Sequence, residues 1–581
     1  MVSAEDDTNG GPLLASKAGA AGWWQDGLAC AVLLALCVAL SVPSAQIPLG
    51  DEFSYAKSAQ EFARTGHLVY NGWAATAVGW IAPWGALFIK LFGFSFLALR
   101  LSMLLVGMAI VVLFHQVLAG FGIGRRNALL GTLALGLSPL FMQLSVSFLT
   151  DLPGLLFVVV CIVMCQRAAA AATDRATVLW LVSAAAVNVM GGTARQTTWL
   201  GALVMVPATA YLLRKRRGVL PAAATALLLS LVSIVLMMHW CGTQPYFIPA
   251  KTFPTGARYL ITPANLIAQT AKSIACLVLL IAPIAVCWLV RARDWTTRAK
   301  LTGLAALLVV IGLTLLLVGH GPLSPWLVPW VPFNLVSLGL TDLPLWLRTS
   351  ISILTVAIAI PLLPMLRDFL KAQKQSTASE QERRAFWIMG PFSAVYILFL
   401  VPRGLFSVYD RYLLALVLTA IVWSLLSFER RAREARRSIA LPSICTVAIV
   451  VYCLFGIASV HDYFGLARGT VDAVEELRLA GVPRTAVTAG FGADGWVQVN
   501  LTGHLNDPQV KVPANAHRDV VSWTASDDCS IWDYYLLPDL HPKYIVEDRS
   551  SPCVGSSPYA PVVYRTWLPP FERKVFIDTV R

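Results

Sequence analysis

Apolar and polar positions fall along this chain in long alternating blocks, not at the short spacing of amphipathic helices or half-buried strands. Apolar runs of about 18–25 residues recur from near residue 27 to near residue 460, each long enough to cross a bilayer as a helix. The pattern predicts thirteen spans, near 27–47, 96–119, 127–144, 152–172, 176–194, 197–213, 218–240, 266–290, 301–319, 346–366, 385–402, 411–428 and 438–460. The spans near 180 and 205 are divided only by a short polar turn. A polar leader, residues 1–26, precedes the first span. It carries little positive charge, and Pro43-Ser44-Ala45 is a poor cleavage site, so the first span reads as a retained anchor and not a removed signal. Beyond residue 460 the pattern changes and no further spanning run occurs. Ala467 to Ala480 predicts an amphipathic helix, with Val471, Val474 and Leu477 on one face and Gly481 as its stop. Strand-like runs follow at Ala486-Val487-Thr488 and Tyr544-Ile545-Val546. The predicted architecture is a polytopic α-helical membrane domain over 27–460 with a small α/β domain over 461–581.

Composition agrees with this class. Hydrophobic residues make up 57% of the chain and charged residues 13%, at a mean hydropathy of +0.67. Soluble domains carry about a quarter charged residues. The chain's net charge of +13 is more than supplied by six short loops: Arg125-Arg126, Arg167 to Arg175, Arg214 to Arg217, Arg291 to Lys300, residues 367–384, and Arg430 to Arg437 with Glu429. Together these hold 22 Lys and Arg against 7 Asp and Glu. The positive-inside rule places such loops in the cytoplasm and accounts for the basic balance without a nucleic-acid partner. Thirteen spans then put the N-terminus inside and the tail domain outside, in a multi-pass plasma membrane. The long loop 48–95 and its Asp51-Glu52 pair face outward.

That pair lies just past the first span, where a carboxylate is costly unless solvated or used; at the bilayer centre the cost is about 2.5–3.5 kcal/mol. Tyr55, Lys57, Glu61 and Arg64 follow it at helical spacing. Asp151 opens the fourth span on the same side, where it suits a helix N-cap, with Pro153 two residues on, as well as a functional carboxylate. Arg195 and Gln196 lie in the outer turn Gly192 to Thr197, where an arginine can anchor lipid headgroups or bind a phosphate. Lys251 and Arg258, among Tyr246, Phe247, Phe253 and Tyr259, occupy another outer loop, and Arg403 and Asp410-Arg411-Tyr412 lie at the outer ends of the last spans. His67, His239, His320 and His461 are also outside and suit interfacial packing. Trp73, Trp80 and Trp84 in the first outer loop fit either an interfacial aromatic belt or helices lying at the membrane surface. Gly490-Phe491-Gly492-Ala493-Asp494-Gly495 matches the glycine pattern of dinucleotide sites, but its continuation Trp496-Val497-Gln498-Val499 reads as a strand, so the glycines are assigned to a turn. Asn500-Leu501-Thr502 fits a glycosylation sequon. No His/Cys set has zinc spacing. Cys529 and Cys553 share the external compartment, where a disulfide is permitted.

Taken together, Gly50-Asp51-Glu52, Tyr55, Thr150-Asp151, Arg195-Gln196-Thr197, Tyr409-Asp410-Arg411-Tyr412-Leu413-Leu414 and His461-Asp462-Tyr463 resemble the GT-C glycosyltransferases that use polyprenyl-phosphate sugars, the aminoarabinose-transferase and protein O-mannosyltransferase-like superfamily. The resemblance covers the layout of the whole chain. It implies a GT-C-like fold and an inverting transfer of a sugar from a polyprenyl-phosphate donor to a hydroxyl acceptor on a glycan, lipid or protein. It implies Asp51 as general base, with Glu52 and Asp151 positioning acceptor or sugar, or sharing a divalent metal where one is bound. Phosphate candidates are Lys57, Arg195, Lys251, Arg258, Arg403 and Arg411, with Tyr55, Gln196, Asp410 and Tyr412 beside them. Several members of the superfamily carry a basic residue two positions after the acidic pair, where this chain has Ser54. Either a different cation meets the phosphate or the donor differs. Every cytoplasmic loop is short, leaving no room for a nucleotide-sugar domain. Two other classes remain open: a transporter or flippase of lipid-linked sugars, which would show repeated halves and midplane charges, and a non-catalytic scaffold.

Overall fold

The computed structural model describes residues 17–73, 77–249, 263–291, 345–403, 409–519, 534–549 and 554–580. The predicted span at 301–319, Lys251, Arg258, Cys529 and Cys553 lie outside the described residues, as does the side chain of Arg403. The helices of the membrane part are α1 (Lys17–Leu40), α2 (Glu52–Thr65), α3 (Ile81–Phe92), α4 (Phe96–Gly120), α5 (Arg125–Gly136), α6 (Pro139–Leu144), α7 (Asp151–Ala170), α8 (Asp174–Gly191), α9 (Val206–Leu212), α10 (Val219–Thr243), α11 (Pro263–Ala285), α12 (Cys287–Arg291), α13 (Leu345–Lys374), α14 (Glu380–Arg403), α15 (Leu414–Glu434) and α16 (Ser443–Leu479). Among the described residues, seven helical stretches are long and apolar enough to cross a membrane: Gly22–Leu40, Phe96–Gly120, Asp151–Ala170, Val219–Thr243, Ile353–Lys374, Asp410–Glu434 and Ser443–Leu479. The chain is an integral membrane protein.

Several predicted spans are built from pieces. The run near 127–144 divides at Ser138-Pro139: Pro139 lacks an amide hydrogen and cannot continue α5, and the Ser138 hydroxyl caps α6 by accepting from Phe141 N at 3.3 Å. The run near 197–213 starts as a 3-10 turn, Gln196–Thr198, widens into a π-helical segment, Gly201–Met205, and only then becomes α9. The first outer loop forms two helices, α2 and α3. Gly66, at φ +74°, ends α2 in a left-handed cap, its amide donating to Phe62 O.

The helices pack in sequence, α1 on α4, α4 on α7 and α7 on α8, around one apolar core. Leu28, Val32, Leu36 and Leu40 of α1, and Leu228, Leu229, Val232, Val235 and Leu236 of α10, remain exposed, as lipid-facing stripes require. Among the described residues, the basic loops gather at one end of the bundle. Arg125 pairs with Asp26 in α1; Gly124 N and Asn127 donate to Glu429 at the end of α15; and Arg216 donates to Ala171 O just past α7. Because α1, α7 and α15 each run the length of the bundle, Asp51, Asp151 and Arg411 meet at the opposite end.

α16 passes unbroken from its apolar stretch into the tail, joining the predicted last span to the predicted amphipathic helix. Gly465 and Gly469 let that helix approach Tyr564 and Val575 of the tail sheet. The tail carries β1 (Val487–Thr488), α17 (Phe491–Thr502), β2 (Tyr544–Glu547), β3 (Val554–Gly555), β4 (Val562–Arg565) and β5 (Glu572–Val580). β1 and β2 are parallel, Val487 opposite Tyr544, while β5 pairs antiparallel with β2, β3 and β4. Parallel neighbours need a long crossover, and α17 lies on it. The stretch Trp496 to Val499, expected as a strand, is therefore helical. Both valines pack on one cluster, Val499 buried in it with Phe53 and Leu505 and Val497 partly buried against it.

Candidate active site

The end of the bundle away from the basic loops holds a cavity of about 540 Å³. Its polar wall is formed by Asp51, Tyr55 and Trp73 from the first outer loop, Thr150 and Asp151 at the start of α7, Arg195 and Gln196, and Arg411 and Tyr412. Its apolar wall is formed by Trp199, Leu200, Leu203, Met238, Phe399 and Leu400.

Each charged group is placed by a local break in helix. Asp51 follows Gly50, which takes φ +55°, and immediately precedes α2. Trp73 Nε1 donates to Asp51 Oδ1 at 2.9 Å, leaving Oδ2 toward Arg411 Nη2 at 3.5 Å. Asp151 is the first residue of α7. Thr150 holds the cap position, so Asp151 is not the N-cap; a carboxylate in the first turn still gains from the helix dipole. Its Oδ1 lies 2.8 Å from Arg195 Nη1 and 4.0 Å from Arg411 Nε. Arg195 is extended (φ −148°, ψ 116°) ahead of the 3-10 turn. It fits against α7 because position 154 is glycine: a Cβ there would lie 2.8 Å from Arg195 Cβ. The Tyr412 ring is 4.9 Å from the Arg195 guanidinium and 5.6 Å from that of Arg411, within cation–π reach. Tyr396 fixes this turn by donating to Tyr412 O at 2.8 Å. Tyr55 is buried beside Thr150; burial first, and the Asp51 charge second, push its phenol well above the usual range and keep the hydroxyl protonated. The result is two carboxylates interleaved with two arginines, in a pocket with one polar and one apolar side.

Other residues singled out in the sequence go elsewhere. Glu52 does not line the cavity. It is fully buried and accepts from Arg100 Nη2 (2.6 Å) and Nε (3.2 Å), Leu49 N (2.9 Å) and Phe148 N (2.8 Å). Lys57 turns to the tail, donating to Asn500 Oδ1 at 3.1 Å and pairing with Glu61. Asp410 is buried and caps its neighbour's amide, Arg411 N, at 2.7 Å. Sequence reasoning missed Arg100, whose signal was a single cation inside an apolar span, and Tyr396. It named Trp73 only as an interfacial aromatic. Among the described residues no group of three or more His, Cys, Asp or Glu converges. With Glu52 held by Arg100, and Asp51 and Asp151 facing arginines, this donor set does not suit a divalent cation.

Fold and cavity thus define a multi-spanning membrane protein with an acid–arginine pocket at one end of its bundle. Residues 77–241 match the family model described as dolichyl-phosphate-mannose-protein mannosyltransferase. That segment includes Asp151 and Arg195 but not Asp51 or Arg411. The chain shares with this family the resemblance to GT-C polyprenyl-phosphate-sugar glycosyltransferases seen in its sequence. No curated protein sequence matches the chain. Similar solved structures include a protein O-mannosyltransferase complex of S. cerevisiae bound to the sugar donor, at 14% identity over 38% of this chain and 33% of that chain, TM-score 0.31. ArnT from Cupriavidus metallidurans bound to undecaprenyl phosphate is similar at 16% identity over 72% and 80%, TM-score 0.32. The archaeal oligosaccharyltransferase AglB from Archaeoglobus fulgidus, in complex with an inhibitory peptide and a dolichol-phosphate, is similar at 11% identity over 88% and 63%, TM-score 0.42. The chain thus spans about a third of the yeast protein's length and under two thirds of the archaeal one's.

Proposed function

We propose that this protein is an inverting glycosyltransferase that moves a sugar from a polyprenyl-phosphate donor to a hydroxyl acceptor, with its active site on the outer face of the membrane. The observation that carries the reading is the arrangement around Arg411, which lies between Asp51 and Asp151, with Arg195 on the same Asp151 oxygen. The apolar wall suits the first units of a prenyl chain and the arginines suit its phosphate. In this reading Asp51 takes the proton of the acceptor hydroxyl as its oxygen attacks the anomeric carbon. The bond from that carbon to the phosphate oxygen breaks with inversion, and its electron pair leaves on the polyprenyl phosphate. Arg411 and Arg195 meet the developing phosphate charge, the task a residue after the acidic pair performs elsewhere in the superfamily. Here that position is Ser54, buried and donating to Asn71 Oδ1 at 2.8 Å. Asp151 holds both arginines in place. The thirteen-span layout, a cytoplasmic N-terminus and an extracytoplasmic α/β tail complete the proposal, supported by the basic loops at the opposite end.

The test is transfer from labelled polyprenyl-phosphate mannose and polyprenyl-phosphate glucose, in proteoliposomes, to an envelope extract supplying acceptors. Asp51→Asn is expected to lower transfer by about 10²–10⁴-fold, the usual contribution of a positioned base. A folded Asp51→Asn protein with full activity would remove the base assignment. Movement of donor across the bilayer without glycosylated product would favour the flippase class.

A further inference from the structure

The chain's glycine-rich motif is not spent on a turn or a nucleotide. Gly490, at φ +91°, precedes α17, and Gly492 and Gly495 lie within that helix. A Cβ on Gly492 would sit 2.8 Å from Pro48 O, 2.9 Å from Gly50 O and 3.0 Å from Gly50 N, all backbone atoms that cannot swing aside. A Cβ on Gly495 would sit 2.8–2.9 Å from three ring carbons of Phe53, which is fully buried. The two glycines therefore seat α17 on the residues immediately before and shortly after Asp51. The third contact is aromatic. The Phe491 ring lies 4.6 Å from that of Trp73 and 5.4 Å from that of Phe53, and Trp73 is the indole that donates to Asp51. Farther along, Trp496 stacks on Phe94 at 5.3 Å, and Leu505 N donates to Asn71 O at 2.9 Å, extending the seam over the first outer loop.

We infer that Phe491, Gly492 and Gly495 of the tail helix are positioning residues, setting the Asp51 turn and the Trp73 indole so that the carboxylate points into the cavity. The tail is then a structural part of the active site and not a separate module. The inference rests on the reading of Asp51 as base. None of the three residues lines the cavity. Displacing a reacting group by about 1 Å costs on the order of a hundredfold in rate, so the effect belongs in kcat.

The experiment uses the full-length protein in proteoliposomes with labelled polyprenyl-phosphate mannose and glucose, measuring kcat, donor KM and thermal unfolding. Gly492→Ala and Gly495→Ala are expected to lower kcat by about tenfold to a hundredfold with donor KM within about twofold. Phe491→Ala should lower kcat in the same way, and Phe491→Tyr, which keeps the ring, should recover most of it. Phe491→Ala removes atoms where the glycine variants add them, so it decides the matter if those variants do not fold. Folded variants with kcat within about twofold of wild type would overturn the inference. So would a loss tracking only the folded fraction, with Phe491→Tyr no better than Phe491→Ala. Asp51→Asn in the same assay separates the two readings. If it stays active, the base assignment fails and the positioning inference falls with it. If it is inactive while the glycine variants are fully active, the positioning inference alone falls.

Discussion

Asp51 and Glu52 stand side by side at the start of α2, yet one opens onto the cavity and the other is sealed from solvent by four hydrogen bonds. Around Asp51 the partners are spread: one indole at 2.9 Å and one guanidinium at 3.5 Å, with room for a ligand between them. Around Glu52 every lone pair has a donor. Arg100 adds bonds to Ala45 O and Ile47 O, and its guanidinium lies over Phe464 and Phe96. The Glu52 bond to Phe148 N also ties the turn before α2 to the loop that leads into α7. The difference teaches a division of labour: the saturated carboxylate fixes the distance between the two acidic turns, and the unsaturated one is left to do chemistry.

The comparison can be broken most forcefully at Arg100. Arg100→Met leaves Glu52 buried without its cation, and loss of one partner of a buried pair costs about 3–5 kcal/mol. Unfolding of the purified protein in detergent measures it, and a change under about 1 kcal/mol would show that Glu52 is not the structural member. The double variant Glu52→Leu with Arg100→Met should recover part of that loss, because the uncompensated charge is gone. A smaller effect, on activity and not stability, is expected on the cavity side. Arg411→Lys keeps the charge but loses the planar fork that reaches both Asp51 and Asp151. Transfer is expected to fall by about tenfold to a hundredfold while stability moves by less than about 1 kcal/mol. Wild-type transfer by this variant would remove Arg411 from the phosphate role. The least effect is expected at Lys57, whose contacts are at the rim. Lys57→Ala should change stability by less than about 1 kcal/mol, with transfer within about twofold. A large loss of activity there would mean that the Asn500 contact, and not the glycine seam, holds the tail in place.

Much of this was legible in the residues. Asp51, Asp151, Arg195, Arg411, Tyr55, Gln196 and Tyr412 were all singled out as outward polar groups, and the structure brings them to one cavity. They were legible because charge is rare beside apolar spans and stands out. Arg100 was hidden for the opposite reason: it lies within a span whose hydropathy reads as uniform, and only its partner explains it. The helix at Phe491–Thr502 reads in the sequence as a turn over Gly490 to Gly495 and a strand over Trp496 to Val499, because the glycines lower helix propensity and Val497 and Val499 alternate. Tertiary contact overrides that propensity, since the glycines are what allows the close approach to Gly50 and Phe53.

The sequence by itself determined that this chain lives in a membrane, which end of its bundle carries the basic loops, and which few ionisable residues lie at the other. Long apolar runs belong in a bilayer and charged side chains at its boundary, because neither has a cheaper solution. Only the tertiary structure decided which of two adjacent carboxylates faces the cavity. Successive side chains on a helix point about 100° apart, so the fate of each depends on what packs against that side: Trp73 and Arg411 for Asp51, Arg100 and the amide of Phe148 for Glu52.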